Sequence, residues 1–302
     1  MTTGAEVKID TRRPFGATGL LVPPLGLGAG ELGGSLLDDA AASRLLNAAL
    51  DLGVTFIDTA RSYGLSEERI GRHLAHRRAE FVLATKVGYG VEGEADWTAG
   101  CVRRGIDEAL RRLRTEVIDV VLLHSCGMEA LRDEGILGAL EEARRAGKLR
   151  VAGYSGEGAP LRWAVESGRF GAVECSVNLC DQRGLDAVLP AAAAGGLGVI
   201  AKRPLANAPW RHALKPERQD QATYWERWRS LRLERGGMEW DELALRFAAH
   251  APGVSCGIVG TTRLEHLRRN VELAARGPLP PELVEAARMA FRASDSGWEG
   301  LV

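Results

Sequence analysis

Short apolar segments and longer amphipathic segments alternate along the chain. The apolar segments, rich in β-branched residues, span residues 25–30, 54–59, 81–87, 117–124, 149–155, 172–178, 198–204 and 255–260. The segments between them, such as ILGALEEARRAGK, repeat apolar residues at three- and four-residue steps, which predicts helices with one buried face. Several helical segments stop at a glycine suited to a C-cap, namely Gly53, Gly147 and Gly253.

The number of strands decides the predicted architecture. Eight strands alternating with about eight helices favour a (β/α)8 TIM barrel, in the α/β class, over an open sheet. The sequence contains no linker, no second composition regime and no low-complexity tract, so we expect one domain over residues 1–302. The opening RRPFGATGLLVPP, with ATGL as its turn, predicts an N-terminal β-hairpin that caps the barrel floor.

Composition and charge narrow the classes of function. Apolar residues make up 45% of the chain and charged residues 26%, and the net charge is −1, so neither nucleic acid nor an anionic membrane is expected as a partner. The polar opening MTTGAEVKID predicts no signal peptide, and no apolar run approaches the roughly 18 residues of a membrane span. Five cysteines without CxxC spacing predict reduced thiols in the cytoplasm. The absence of an obvious exposed apolar stripe predicts a monomer or weak homo-oligomer.

Polar residues end three consecutive predicted strands. Asp58 ends the second strand, Lys86 the third and His124 the fourth, while Tyr63 lies in the loop after Asp58. Each has a structural alternative: an N-cap for Asp58, a lysine that snorkels out of the barrel, a satisfied core histidine and rim packing for Tyr63. Catalytic groups of this fold lie at the C-terminal ends of strands, so four such residues at neighbouring positions indicate an active site.

These residue types suit proton transfer to a carbonyl oxygen. A free tyrosine has a pKa of about 10, and a neighbouring ammonium is expected to lower that pKa. The carboxylate of Asp58 would hold Lys86 charged, and His124 could donate a hydrogen bond to a substrate oxygen. Such a group can protonate a carbonyl oxygen while the carbon accepts a hydride, an effect worth about 10²–10⁴-fold in rate.

Several segments resemble the aldo-keto reductase family: FIDTARSYGLSEERIGRHL, LATKVG, DVVLLHS, GYS and IVGTTRLEHLRRN. The resemblance extends from about residue 13 to residue 290, and DTAxxYGxSE is its most specific part. It implies an oxidoreductase that reduces an aldehyde or ketone, or runs the reverse reaction, with Tyr63 as general acid/base. Lys86 and Asp58 would tune Tyr63, and His124 would orient the carbonyl. NADPH, or NADH, would lie extended across the C-terminal rim.

The resemblance also implies the residues around the nicotinamide. Gly28 to Glu31 would lie under the nicotinamide and the substrate. Glu174 stands where the family generally has glutamine, and Lys202 replaces the usual stacking aromatic, so these two charges could pair. The other residues that the resemblance assigns to this part of the cofactor are Ser155, which Gly156 follows in place of the usual asparagine, and Asn178, Arg203, Pro204 and Leu205.

The segment GTTRLEHLRRN is expected to bind the adenosine end of the cofactor. Gly260, Thr261 and Thr262 follow the last strand and open a helix, whose backbone N–H groups suit a phosphate. Arg263 could bind a 2′-phosphate through bidentate hydrogen bonds. This favours NADPH as the cofactor, with NADH as the alternative. By resemblance, Asn270 would reach the adenine. The alternative is that the arginines form a solvated helix face.

Aromatic residues in two loops are candidates for the substrate pocket. Tyr89 and Trp97 belong to YGVEGEADW, and Trp210 and Tyr224 belong to the long 206–235 insertion. Glu31 would join them from the first loop. The substrate is expected to be a small carbonyl compound or alcohol. The insertion could form a lid over an apolar or ring-bearing substrate, or an amphipathic helix docked on the barrel.

The sequence also allows other interpretations of the fold and the function. GAGELG (28–33) matches the Rossmann pattern GxGxxG, but Asp58 lies 30 residues after Gly28, where the motif places its acid about 20 residues on. A metal-dependent hydrolase would need clustered ligands, and only His124 of the six histidines ends a strand, so no metal is expected. A non-catalytic, redox-sensing NADP-binding subunit and a nicotinamide-using epimerase or isomerase remain alternatives.

Overall fold

A closed barrel of eight parallel strands forms the centre of the computed structural model, which describes residues 6–35 and 37–301; the first five residues of the polar opening lie outside these ranges. A separate two-stranded hairpin, β1 (Arg13–Pro14) and β2 (Leu21–Val22), precedes it. The barrel strands are β3 (Leu25–Gly28), β4 (Phe56–Asp58), β5 (Val82–Val87), β6 (Ile118–His124), β7 (Leu149–Ser155), β8 (Ala172–Ser176), β9 (Gly198–Lys202) and β10 (Cys256–Gly260). The strands neighbour one another in chain order and β10 closes on β3, which confirms the predicted (β/α)8 barrel.

Helices follow the strands and surround the barrel. They are α1 (Asp39–Asp51), α2 (Ser66–Leu74), α3 (Ala99–Leu113), α4 (Met128–Leu131), α5 (Glu134–Arg145), α6 (Gly158–Glu166), α7 (Val188–Ala194), α8 (Gln219–Leu231), α9 (Trp240–Ala249), α10 (Leu264–Ala275) and α11 (Pro281–Ser294). Short 3₁₀ turns span Gly30–Gly33, Ala75–Glu80, Arg183–Leu185 and Pro209–Arg211. Gly53, Gly147 and Gly253 have φ of +83°, +76° and +86°, the left-handed conformation expected of glycines that follow helices.

The hairpin closes the floor of the barrel, as predicted. Phe15, in its loop, is completely buried and packs against Phe56 inside the barrel with ring centres 5.9 Å apart. The guanidinium of Arg13 donates hydrogen bonds to the carbonyl oxygens of Ser255 (2.6 Å) and Ala249 (2.5 Å), at the start of β10 and the end of α9. The packing of Phe15 and the hydrogen bonds of Arg13 close the N-terminal end of the barrel. The opposite end, where the strands terminate, is the open mouth.

Strand alternation explains why polar residues collect at that mouth. Successive side chains of a strand point to opposite faces, so every second residue faces the barrel interior. In β6, Val120 and Leu122 belong to the inner apolar cluster, and His124 continues the same face at the C-terminal end. The same two-residue step carries Phe56 to Asp58 in β4. β4 and β6 therefore each present an apolar interior and one polar side chain at the rim.

The insertion after β9 forms a docked helix. Helix α8 buries Tyr224 and Leu231 in a cluster with Leu243 and Phe247 of α9 and Phe291 of α11. The structure thus agrees with the docked-helix alternative for residues 206–235. Among the residues that the structure describes, no helix is long and apolar enough to cross a membrane.

Candidate active site

Asp58 and Lys86 form a buried ion pair at the bottom of the mouth. Lys86 Nζ lies 2.5 Å from Asp58 Oδ2 and 3.2 Å from the carbonyl oxygen of Thr59. Asp58 and Lys86 are each only 1% exposed. Removing one partner of a buried pair leaves an uncompensated charge, which typically costs about 3–5 kcal/mol. The carboxylate of Asp58 therefore fixes the position of the Lys86 ammonium below the open end of the barrel.

Tyr63 lies above this pair, and a glycine turn holds its backbone. Lys86 Nζ is 5.2 Å from the centre of the Tyr63 ring. The 3₁₀ turn Gly30–Gly33 rests against residues 63–65: Leu65 N–H donates to the carbonyl of Gly33, and a Cβ added at Gly33 would stand 1.4 Å from the carbonyl oxygen of Tyr63. The GAGELG segment, which suggested a Rossmann phosphate loop, therefore provides the close backbone packing that positions Tyr63.

The pKa of Tyr63 differs from the sequence-based prediction. Burial raises the pKa of Tyr63 to about 12, Lys86 lowers it, and Asp58 and Glu174 raise it. The expectation that the ammonium would bring the pKa of the phenol below its usual value is wrong for the protein without a bound ligand, because burial and two carboxylates outweigh one lysine. At neutral pH Tyr63 is consequently a protonated phenol that can donate its proton.

Glu174 adds a second carboxylate to the lysine. Its Oε2 lies 3.4 Å from Lys86 Nζ, and its Oε1 accepts a hydrogen bond from Ser155 Oγ at 3.1 Å. Burial and the neighbouring Glu174 raise the pKa of Asp58 well above its usual range. Burial also raises the pKa of Glu174, but Lys86 and Lys202 outweigh it and the net pKa is lowered. The two carboxyl groups therefore share the single ammonium of Lys86.

The suggested Glu174–Lys202 pair is not present. Lys202 instead pairs with Glu157, at 3.3 Å, and Glu157 also accepts a hydrogen bond from the backbone N–H of Ser176. Glu174 reaches toward Lys86 because both residues face the barrel interior. The sequence could not predict that Glu174 pairs with Lys86 rather than Lys202. These residues lie on β5, β8 and β9, which are separated in the chain and meet only in the folded barrel.

His124 completes the group as a neutral imidazole. Its ring meets that of Tyr63 edge-on, with centres 6.0 Å apart and planes at 86°. Burial and the charge of Lys86 lower the pKa of His124 to about 4. A neutral imidazole with one N–H can donate a hydrogen bond to a substrate oxygen without adding a second charge beside Lys86.

A single cavity of about 430 Å³ joins these side chains. Asp58, Tyr63 and His124 line it, together with further predicted residues: Gly28, Glu31, Ser155, Glu174, Lys202, Arg203, Pro204, Leu205 and Gly260. The cavity also contacts Ser125, Asn207 and Arg211, which sequence reasoning missed. Asn207 lies in an irregular segment and Arg211 ends a short 3₁₀ turn. Neither stretch has an apolar periodicity, so only the polar side chains themselves could have indicated a role in the cavity.

The segment after β9 that forms one cavity wall has an unusual backbone. Arg203, Ala206, Asn207 and Ala208 have φ of +54°, +47°, +58° and +52°. Non-glycine residues in this region cost of order 1 kcal/mol or more each and concentrate at functional sites. The Asn207 amide is held at 2.9 Å from Asp220 Oδ2 of α8, so the docked insertion supports this wall from behind.

Two residues predicted to line the substrate pocket are elsewhere. Tyr224 is completely buried and its hydroxyl donates to Asp181 Oδ2 at 2.6 Å, so its assignment to the pocket is wrong. Trp210 donates its Nε1–H to Asp241 Oδ1 at 2.8 Å and stacks on Trp240 rather than lining the cavity. Both side chains serve the docking of the insertion, because its apolar face is turned toward α9 and α11.

Three other predicted residues do not line the cavity. Asn178 is buried, and its amide lies 3.4 Å from the hydroxyl of Tyr224. Tyr89 stacks on His124 with ring centres 5.5 Å apart, and Trp97 packs against Tyr89 at 5.6 Å. Tyr89 thus contacts His124, Trp97 supports Tyr89, and neither residue lines the cavity.

The outer rim beyond Gly260 suits the phosphates of a dinucleotide. Thr261, Thr262 and Arg263 lead into α10, a 12-residue helix whose N-terminal N–H groups favour anions. Arg263 and Thr262 are exposed, whereas Asn270 is 8% exposed on the inner side of the helix. At the inner end, Ser155 and Glu174 offer a hydroxyl and carboxylate oxygens to an amide. These groups fit an extended nicotinamide dinucleotide.

Within residues 6–35 and 37–301, no cluster of three or more His, Cys, Asp or Glu side chains is arranged to hold a metal ion. The acidic side chains nearest the reaction site, Asp58 and Glu174, instead surround the ammonium of Lys86. Both carboxyl groups are therefore committed to ion pairs with Lys86.

Comparisons with known proteins point to one enzyme family, and they agree with the barrel fold described above. A profile of the Aldo/keto reductase family matches residues 24–290. L-galactose dehydrogenase of Arabidopsis thaliana is 30% identical over 284 residues, covering 86% of this chain and 86% of that protein. D-threo-aldose 1-dehydrogenase of a Pseudomonas species is 28% identical over 316 residues, covering 88% and 93%. The holo form of an aldo-keto reductase from Bacillus halodurans superposes with a TM-score of 0.80 at 26% identity, covering 93% and 96%.

Proposed function

The chain belongs to the aldo/keto reductase family and is a carbonyl-reducing oxidoreductase, and on that basis we propose that it uses NADPH and Tyr63 to interconvert an aldehyde or ketone and its alcohol. The observation that carries this proposal is the convergence of Tyr63, Lys86, Asp58 and His124 at one cavity. When bound, the reduced nicotinamide supplies the hydride. The protein supplies the proton, the orientation and the electrostatic environment.

Each side chain has a distinct task in this mechanism. Tyr63, protonated at neutral pH, donates its phenolic proton to the carbonyl oxygen as negative charge develops there. The Lys86 ammonium stabilises the phenolate left behind, and Asp58 keeps that ammonium in place. His124 donates a hydrogen bond that orients the carbonyl. In the reverse direction Tyr63 must accept a proton, so alcohol oxidation is favoured at higher pH.

A polyhydroxylated substrate is the best candidate class. The relatives named above act, by their names, on L-galactose and on a D-threo-aldose. In this chain, Glu31, Asn207 and Arg211 add polar groups to the cavity, next to the proposed reaction site. The Asn207 amide and one nitrogen of Arg211 already bond to Asp220 and Asp241, but the Asn207 carbonyl oxygen, the other Arg211 N–H groups and the Glu31 carboxylate could still bind sugar hydroxyls. An alkyl chain would offer these groups no hydrogen-bond partner.

The decisive experiment measures cofactor binding and turnover separately. NADPH and NADH are titrated into the protein, and the reduced cofactor is then followed with a panel of aldoses, simple aldehydes and ketones. The reverse reaction is followed with NADP⁺ and the corresponding sugars and alcohols. Stoichiometric cofactor consumption with carbonyl reduction supports the proposal. Tight cofactor binding without turnover would favour a redox-sensing subunit, and substrate isomerisation without net cofactor consumption would favour an epimerase.

Replacing Arg263 with alanine is expected to raise the KM for NADPH about 10-fold and to leave the KM for NADH nearly unchanged. A charge-assisted hydrogen bond to a 2′-phosphate contributes about 1.5–3 kcal/mol, and NADH lacks that phosphate. Arg269→Ala is a matched control, since Arg269 lies on the same exposed helix but pairs with Glu272 at 3.2 Å. Equal efficiency of the wild-type enzyme with both cofactors would remove the role assigned to Arg263.

Replacing Glu174 with glutamine is expected to shift the pH dependence of alcohol oxidation toward lower pH. The carboxylate of Glu174 is one of the groups that raise the pKa of Tyr63, so its removal makes the phenol easier to ionise. The measurement is the pH profile of kcat for oxidation. Glu157→Gln is the control, because Glu157 is also a carboxylate with a mostly covered side chain but pairs with Lys202 rather than Lys86. An unchanged profile in Glu174→Gln would show that Glu174 does not influence Tyr63.

A further inference from the structure

A second tyrosine, which does not line the cavity, contacts the catalytic histidine. The hydroxyl of Tyr89 lies 3.0 Å from Nδ1 of His124 and 3.1 Å from the hydroxyl of Ser62. The rings of Tyr89 and His124 stack at 5.5 Å with planes only 26° apart. Since His124 lines the cavity and Nδ1 is engaged by Tyr89, Nε2 is the ring nitrogen left for a substrate.

The loop that carries Tyr89 is held rigidly in place. Trp97 N–H donates to the carbonyl of Gly88 at 2.7 Å, and Asp96 Oδ1 accepts from the N–H of Gly90 at 2.9 Å. The Arg61 guanidinium donates to the carbonyl of Gly90 at 2.7 Å. Bonds on both sides of Tyr89 therefore fix its backbone, so the position of its hydroxyl is set by the protein before any substrate binds.

The single proton of the Tyr89 hydroxyl has two possible acceptors. The unprotonated nitrogen of a neutral imidazole is a stronger base than the oxygen of a serine hydroxyl, so His124 Nδ1 is the favoured acceptor. Ser62 is exposed and can turn its own proton toward the Tyr89 oxygen or toward water. If Nδ1 accepts, the ring proton must reside on Nε2.

We propose that Tyr89 is a positioning residue that fixes His124 in the tautomer whose proton is on Nε2 and directed into the cavity. The catalytic consequence rests on the proposed function: only this tautomer can donate a hydrogen bond to a carbonyl oxygen. The opposite tautomer would present a lone pair to the substrate oxygen and repel it. Tyr89 itself touches neither substrate nor cofactor in this scheme, and its effect passes entirely through the imidazole.

Nitrogen NMR of the histidine rings tests the tautomer directly. Full-length protein labelled with ¹⁵N-histidine is examined at neutral pH, alone and with NADP⁺, and the signals of His124 are assigned by their loss in His124→Gln. The wild-type protein is expected to carry the proton on Nε2. In Tyr89→Phe, which keeps the ring and removes the hydroxyl, the Nδ1–H form should increase about 2- to 10-fold, the equivalent of one lost hydrogen bond. Ser62→Ala should leave the Nε2–H form dominant.

Kinetics provide the second measurement. Tyr89→Phe should lower kcat/KM for the carbonyl substrate by about 2- to 10-fold and leave the dissociation constant of the cofactor unchanged. A proton on Nδ1 in the wild-type protein, which requires no variant to observe, would overturn the proposal. An unchanged tautomer in Tyr89→Phe would overturn it equally. A tautomer shift in a protein that reduces no carbonyl compound would uphold the positioning role and refute the proposed reaction instead.

Discussion

Replacing Tyr63 with phenylalanine is expected to lower kcat for carbonyl reduction by about 10²–10⁴-fold while leaving cofactor affinity unchanged. The substitution removes one hydroxyl group and keeps the ring that packs beside His124. Without that hydroxyl, no other side chain of the group is suited to give a proton to the carbonyl oxygen: Lys86 is held in its charged form by Asp58, and His124 is neutral and a weak acid.

Tyr154→Phe is the matched control for this experiment. Tyr154 is also a buried tyrosine with a raised pKa, but its hydroxyl donates to the carbonyl of Cys126, at 2.8 Å, and takes no part in the proposed chemistry. Steady-state kinetics and a cofactor titration on both variants separate a chemical effect from a structural one. Wild-type kcat in Tyr63→Phe would rule out Tyr63 as the acid. Equal losses in both variants would indicate damage to the fold.

Replacing Gly33 with alanine is expected to destabilise the protein by about 1–3 kcal/mol and to lower kcat by about 10²-fold. A Cβ at this position would stand 1.4 Å from the carbonyl oxygen of Tyr63, so the two backbone segments must separate. The displaced segment carries the proposed general acid. A movement of about 1 Å at such a group costs on the order of 10²-fold in rate.

Gly34→Ala is the control for this prediction, one residue along the same turn. Its Cβ would meet only the carbonyl oxygen of Glu31, at 3.6 Å, and its φ of −73° suits any residue. Denaturant unfolding gives the change in stability, and kinetics give the change in kcat. Equal behaviour of the two variants would show that the close contact at Gly33 does not position Tyr63.

The charges around Tyr63 show why its pKa could not be predicted from the sequence alone. A lysine near a tyrosine suggests a lowered phenol pKa, and the Lys86 charge does act in that direction. The outcome depends on how deeply Tyr63 is buried and on Glu174, which joins the same ammonium from a strand that is distant in the chain. Burial and long-range partners are properties of the assembled barrel, so residue spacing alone cannot give the sign of the shift.

The sequence by itself determined the barrel and its catalytic rim. The alternation of apolar strands with amphipathic helices predicts eight βα units, and the two-residue period of strands places Asp58, Lys86 and His124 on the inward face at the C-terminal ends. These features follow from local periodicity, which each segment carries regardless of what it packs against.

Only the tertiary structure decided which neighbours those residues have. It pairs Glu174 with Lys86 rather than Lys202, buries Tyr224 between the insertion and helices α9 and α11, and brings the Tyr89 hydroxyl to His124. The physical reason is that side chains on different strands and loops meet through closure of the barrel and the conformation of irregular segments. Those depend on contacts between distant parts of the chain, and no local pattern of apolar and polar residues records them.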